Sequence, residues 1–174
     1  MGERIREVLI SEEEIQTIVA DLAARINRDY ADKHLILIGI LKGAYVFLAD
    51  LARAITVPCE IEFLRVSSYR NQTEPGGLEV LSDLSRPLEE YDVLVVEDIL
   101  DSGKTLSAML RHLKAKHPKS LRLCAFLDKP SRRVVPVEAE YTGKQIPDEF
   151  VVGFGLDYAQ RYRTLPYVGI LEID

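Results

Sequence analysis

Glu97, Asp98 and Asp101 stand directly before Ser102-Gly103-Lys104-Thr105, so three carboxylates share one short stretch with two hydroxyls and a glycine. Each residue type has a chemical use. Backbone N–H groups and hydroxyls at the point where a turn enters a helix hold a phosphate monoester. Ionised carboxylates only accept hydrogen bonds, which suits the vicinal hydroxyls of a sugar. The stretch ends in Gly-Lys-Thr as a P-loop does, but G-x-x-x-x-G-K-[ST] requires glycine at position 98, where the chain has Asp98. A triphosphate would meet a wall of negative charge there. A single acid after a strand is ordinarily a helix cap or a solvated turn residue. Three of them before a phosphate-type turn point instead to a sugar phosphate.

Two further segments, Lys42-Gly43 and Asp128-Lys129, follow apolar runs in the same way. The run 34–40 is followed by a helix-like stretch over 45–54 and a strand-like run over 59–66. The pattern repeats with an apolar, β-branched run over 92–96, a polar turn over 97–104, a helical stripe of Leu106, Met109, Leu110 and Leu113, and a run over 120–127. Strands without polar alternation, separated by helices, predict an α/β fold, doubly wound, with a mostly parallel sheet and helices on both faces. In such sheets ligands bind beyond the carboxyl ends of the strands, which is where all three marked segments fall.

Outside these units, Ser11 and Glu14 form a capping box, and Ile15, Ile18, Val19, Leu22 and Ile26 trace one face of the helix it starts. Residues 67–77 are polar and glycine-bearing, the composition of a flexible loop or lid. A weaker strand pattern follows over 78–81. Two short apolar runs, 150–152 and 167–173, lie in a turn-rich C-terminal third.

The 174 residues fit a single domain. A net charge of -6 repels phosphate backbones, so no nucleic-acid partner is expected. The chain start lacks the apolar core of a signal peptide, and no apolar stretch is long enough to span a membrane, so a cytoplasmic protein is expected. Cys59 and Cys124 lie in apolar runs and read as small buried hydrophobes. His34, His112 and His117 show no metal-ligand spacing.

Residues 93–105, V-L-V-V-E-D-I-L-D-S-G-K-T, resemble the phosphoribosyl-diphosphate signature of the type I phosphoribosyltransferases. Leu41-Lys42-Gly43-Ala44, Ser68-Tyr69, Leu127-Asp128-Lys129-Pro130, the run F-V-V-G-F-G-L-D at 150–157 and Tyr162-Arg163 narrow the resemblance to the hypoxanthine-guanine phosphoribosyltransferases of bacterial type. These blocks keep family order and span nearly the whole chain. The resemblance implies the type I phosphoribosyltransferase fold, with a small hood from the N-terminal segment and about 130–174. It also implies transfer of a phosphoribosyl group to a 6-oxopurine such as hypoxanthine or guanine, with Mg²⁺ as cofactor and a homodimer or homotetramer as the assembly.

The family's roles carry over residue by residue. Ser102, Gly103, Lys104 and Thr105 would hold the 5'-phosphate, and Glu97 and Asp98 the ribose hydroxyls. Lys42, Gly43 and Arg163 would hold the diphosphate, with Asp157 as the main metal carboxylate and Glu97 and Asp98 as further metal ligands. Asp101 stands in the position of the general base for the purine's imidazole proton. Lys129 would donate to the 6-oxo group, Phe150 would stack on the purine, and Ile99, Val151 and Asp157 would lie beside it. Ser68 and Tyr69 would open the loop that closes over the reacting centre. Arg70, Glu74 and Pro75 replace the smaller, Ser- and Gly-rich run of the family, and Ser102 replaces a common Thr. The alternative is a regulator that keeps the pocket as a phosphoribosyl-diphosphate sensor and binds RNA or a protein, for which a basic face would be needed.

Overall fold

A computed structural model describes residues 2–68 and 78–174. In chain order the elements are β1 (Glu3–Ile10), α1 (Glu12–Asp29), β2 (Leu35–Leu41), α2 (Tyr45–Ala54), β3 (Cys59–Ser68), β4 (Leu78–Ser82), β5 (Asp92–Leu100), α3 (Lys104–Lys114), β6 (Ser120–Asp128), β7 (Tyr141–Gln145), β8 (Val151–Val152) and β9 (Val168–Ile173). A 3-10 turn, Pro130–Arg132, follows β6.

The main sheet has the order β4-β3-β2-β5-β6-β7 and is parallel except for β4. Chain order runs outward to one side from β2 and to the other from β5. The adjoining carboxyl ends of β2 and β5 are thus the topological switch point, where loops part and leave a crevice. Register fixes the level of each turn: Gly39 pairs with Val96, Glu97 with Ala125, and Leu100 with Asp128.

The apolar content of β2 and β5 explains their place. Both faces are covered, so neither strand needs polar alternation. On one face, Leu35, Leu37, Leu94 and Val96 pack with Phe47, Leu48 and Leu51 of α2 and with Ile15, Leu22 and Ile26 of α1. On the other, Ile36, Ile38, Val93 and Val95 pack with Leu106, Met109 and Leu113 of α3. Each such side chain taken out of water contributes about 1.5–3 kcal/mol before entropy is charged against it. The helix α1 starts as expected, with the Ser11 hydroxyl accepting from Glu14 N–H at 3.1 Å.

The second sheet is antiparallel, in the order β1-β9-β8, and comes from the two ends of the chain. Its strand β8 starts at Val151, which is buried in the core cluster of Leu94 and Val96, directly after the exposed Phe150. The strand β1 was hidden by its charges, and β5 continues through the acids to Leu100, where a polar turn was expected from residue 97. Parallel pairing of Ile99 with Leu127 holds that extension in place. Among the described residues no helix is long and apolar enough to cross a membrane.

Candidate active site

The crevice is built from four turns. After β2 come Lys42 and Gly43, with a cis peptide between Leu41 and Lys42. Gly43 lies against the carboxylate of Asp98 at the end of β5, and a Cβ there would overlap the Asp98 side chain. Gly155, at φ +96°, rests in turn on the carbonyl of Gly43. Only glycine tolerates both that backbone angle and that approach. The three segments therefore stack without room for a side chain between them.

Glu97 and Asp98 sit side by side. Asp98 N–H donates to Glu97 Oε1 at 2.9 Å, and Ile99 N–H donates to Asp98 Oδ1 at 2.7 Å. Burial pushes the Glu97 carboxyl well above the usual carboxylate range, and the charge and hydrogen bond of Asp98 add to it. Asp98 is also raised by burial, against hydrogen bonds that pull it down. Two partly buried acids in contact raise the cost of ionising both, and a cation or hydrogen-bond donor placed beside them would lower it.

Asp101, Ser102 and Gly103 make the turn into α3. Gly103 is the N-cap at φ +86°, no side chain caps the helix, and its first turn has no acidic residue. This contrasts with α1, which has a serine cap and three glutamates in its first turn. The first N–H groups of α3 are left open to an anion, and the helix dipole favours one. Ser102 Oγ accepts only a long contact, 3.4 Å, from Lys104 N–H.

The segment after β6 clasps this turn, which the sequence did not reveal. Val134 and Val135 N–H donate to the carbonyl of Ser102 at 2.9 and 3.1 Å. Arg133 donates to the carbonyl of Asp101 at 2.6 Å and pairs with Asp128. Arg132 Nε–H donates to Asp101 Oδ1 at 3.2 Å. Read along the chain, Arg132 and Arg133 look like surface turn charges, and only the fold brings them to the phosphate turn.

Lys129 is 7% exposed, and its side chain has no partner among the described residues. With its stem buried and no acceptor of its own among the described residues, the amine is available to a ligand. Phe150 is 47% exposed and meets Tyr158 edge-on at 5.7 Å, so it is a free face and not part of the core. Val151 beside it is buried, and Ile99 is partly buried against the α1–α2 core.

Across the crevice Arg163 donates to Gly155 O at 2.6 Å and lies 3.4 Å from Asp157 Oδ1. Asp157 Oδ2 accepts from Gln160 N–H at 2.9 Å. Gln160 Oε1 accepts from both Lys42 Nζ (3.2 Å) and Arg163 Nη2 (3.1 Å). Gln160 is the one member of this web that motif reading passed over.

Ser68 ends β3, paired with Leu78. Tyr69 and the departures at Arg70, Glu74 and Pro75 lie outside the described residues. Among the described residues no three His, Cys, Asp or Glu side chains cluster to hold a metal. Glu97 and Asp98 adjoin each other, while Asp157 belongs to the Arg163 side. A groove of about 700 Å³ on the far side of α3, lined by residues such as Leu110, Lys114 and Val137, contains none of these groups. The residues singled out from the sequence lie at the rim crevice and not in that groove.

An uncapped helix start, paired acids and a lysine without a side-chain partner among the described residues thus gather at the carboxyl ends of β5 and β6, an arrangement suited to an anionic ligand. The sequence profile of the phosphoribosyl transferase domain matches residues 10–159. A hypoxanthine-guanine phosphoribosyltransferase of Staphylococcus epidermidis is 46% identical over 175 residues, covering 100% of this chain and 98% of its own. The crystal structure of a hypoxanthine phosphoribosyltransferase from Staphylococcus aureus superposes with a TM-score of 0.93 at 46% identity, over 97% of this chain and 92% of that one. That of a Bacillus anthracis hypoxanthine-guanine phosphoribosyltransferase gives 0.93 at 42% identity, over 99% and 100%. The chain belongs to the phosphoribosyltransferase family, on the branch of its hypoxanthine-guanine members.

Proposed function

We propose that this protein is a purine salvage transferase, converting hypoxanthine or guanine and 5-phosphoribosyl 1-diphosphate to IMP or GMP and pyrophosphate. The observation that carries this reading is the convergence, at one sheet rim, of the uncapped α3 turn, the Glu97–Asp98 pair and Lys129, whose amine has no partner among the described residues. Relatives of 46% identity over the whole chain bear the name of that enzyme. They carry no regulator's name, and the sensor alternative finds no support.

In the reaction the bond from ribose carbon 1 to the diphosphate oxygen breaks and a bond to the purine's imidazole nitrogen forms. The proton on that nitrogen passes to Asp101, and the bonding pair leaves with the diphosphate. Positive charge grows on the ribose in between. The open N–H groups of α3, with Ser102 and Thr105, anchor the 5'-phosphate, and Lys104 adds charge. Glu97 and Asp98 accept from the ribose hydroxyls. Lys129 donates to the 6-oxo group, which selects against adenine because its 6-amino group is itself a donor. Phe150 stacks on the purine beside Ile99 and Val151, and Ser68 and Tyr69 open the closing loop. Lys42, the Gly43 backbone and Arg163 receive the leaving diphosphate.

The all-oxygen donors fit a hard divalent cation, with Asp157 the main carboxylate and Glu97 and Asp98 near the ribose. Bound there with substrate oxygens, Mg²⁺ supplies neutralising charge to the diphosphate. Self-association as a dimer or tetramer fits the exposed Tyr45, Ile61 and Phe63 on α2 and β3. We place the protein in the cytoplasm.

The test is direct. The protein is mixed with phosphoribosyl diphosphate, Mg²⁺ and, separately, hypoxanthine, guanine, xanthine and adenine, and the nucleotide formed is measured. Turnover with hypoxanthine or guanine and little with adenine is expected. No nucleotide from any 6-oxopurine would refute the function, and strong adenine turnover would remove Lys129 from its role.

A further inference from the structure

Lys42 and Arg163, the two cations that face the diphosphate position, each give one hydrogen bond to the same neutral atom, while Arg163 also holds Gly155 O and Asp157. Gln160 Oε1 accepts from Lys42 Nζ at 3.2 Å and from Arg163 Nη2 at 3.1 Å. Gln160 is Lys42's only side-chain partner among the described residues. We infer that Gln160 is a built-in stand-in for the diphosphate, competing with it for this cation pair and yielding the pair when substrate arrives. The inference rests on the transferase reading above and adds to it a residue that controls how tightly the diphosphate is held.

Several observations agree on this. A carboxamide oxygen taking an ammonium and a guanidinium hydrogen at once presents these donors with the same acceptor as a phosphoryl oxygen. It lacks the charge, so the anion wins the exchange. The backbone of Gln160 is fixed: its N–H donates to Asp157 Oδ2 at 2.9 Å. Ala159, Gln160 and Tyr162 all have positive φ, +51°, +67° and +75°. Side-chain-bearing residues seldom adopt that region. This turn doubles back toward Lys42, although the two residues are 118 positions apart in sequence. Gln160 itself is exposed, so its side chain can swing into water without leaving a hole.

The consequence is a cycle in which no bond is made or broken. Diphosphate displaces the amide oxygen on entry, and the amide recovers Lys42 and Arg163 as pyrophosphate leaves. Its presence lowers affinity for the diphosphate and speeds release. It leaves the nucleoside monophosphate untouched, because that ligand's contacts lie on the phosphate turn, the acid pair and Lys129.

The test measures binding of inorganic pyrophosphate with Mg²⁺, and separately of IMP, by calorimetry. Wild type, Gln160→Gly and Gln160→Glu are compared. Glycine suits φ +67° and keeps the turn. Gln160→Asn, which tolerates the same region and cannot span both cations, serves if Gln160→Gly does not fold. Removing the competitor should tighten pyrophosphate by about threefold to tenfold, the ratio expected when a pre-existing occupied state is abolished. The permanent carboxylate of Gln160→Glu should weaken it by about tenfold or more. IMP affinity should stay within about twofold in all of them. Pyrophosphate bound equally or more weakly by both Gln160→Gly and Gln160→Asn would overturn the inference. Wild type that made no IMP would defeat the transferase reading, whereas normal turnover with unchanged pyrophosphate affinity in these variants would defeat the stand-in alone.

Discussion

Gly43→Ala is the most local disturbance the site allows. A methyl at this position overlaps the Asp98 carboxylate, meeting its Cγ at 2.8 Å as well as its nearer oxygen. Asp98 cannot simply swing away, because its Oδ1 accepts from Ile99 N–H at 2.7 Å and Glu97 adjoins it. Nor can the turn retreat, since Gly155 is seated on the Gly43 carbonyl. Losing a hydrogen bond to a charged acceptor costs about 1.5–3 kcal/mol, and forcing an added methyl into a packed position costs about 1–3 kcal/mol. The two overlap, since the carboxylate moves to relieve the contact, so a total of about 2–4 kcal/mol is expected. At about 2–4 °C per kcal/mol for a chain of this size, the melting temperature should fall by roughly 5–15 °C. The same movement takes Asp98 away from the ribose, and kcat/KM should drop about 10- to 100-fold, equivalent to about 1.4–2.8 kcal/mol of transition-state stabilisation. Thermal melts and initial rates on one preparation give both numbers. A variant with wild-type melting temperature and wild-type kcat/KM would refute the claim that this glycine holds the acid pair in place.

Asp101→Asn should bind IMP normally yet lose about 100-fold or more in kcat, as removal of a general base does; rapid-quench measurement of nucleotide formation would reveal it, and full activity would acquit Asp101. Lys129→Ala should raise KM for hypoxanthine by about tenfold or more, because the 6-oxo group then lacks its donor; competition between hypoxanthine and adenine measures the loss of discrimination. Glu97→Gln should stabilise the ligand-free protein at neutral pH. The raised carboxyl keeps its proton in the folded chain after the unfolded chain has released its own. Wild-type stability therefore declines as pH rises from about 4.3 through the folded value. Melting curves across pH should show the glutamine variant ahead at pH 7 and level with wild type below about pH 4; ribose binding should suffer in exchange.

Much of this candidate site is legible in the sequence, for a physical reason. Buried parallel strands must be continuously apolar, so β2, β5 and β6 announce themselves, and polar residues at their ends stand out as Lys42, Glu97 and Lys129 do. The phosphate turn is local chemistry and shows in a few consecutive letters. The parts that stayed hidden depend on distant contacts. Arg133 is spent on the carbonyls of Leu100 and Asp101, more than thirty positions away. Gln160 meets Lys42 across most of the chain. The strand β1, E-R-I-R-E-V-L-I, carries exposed charges along much of its length and is a strand because β9 offers it an edge. The expectation that Cys124 is inert also rests on environment. Burial pushes its thiol up to about 12, so no reactive thiolate forms.

The central pair of strands, covered on both faces, sets a hierarchy of motion. Amide hydrogens of Leu35–Leu41 and of the buried part of β5 can exchange with deuterated solvent only when the whole sheet opens. Those of the turns at the rim need no such event. Ligand occupancy should accordingly slow deuterium uptake at the rim far more than in the interior, so that loading and emptying the crevice proceed on a floor that stays still.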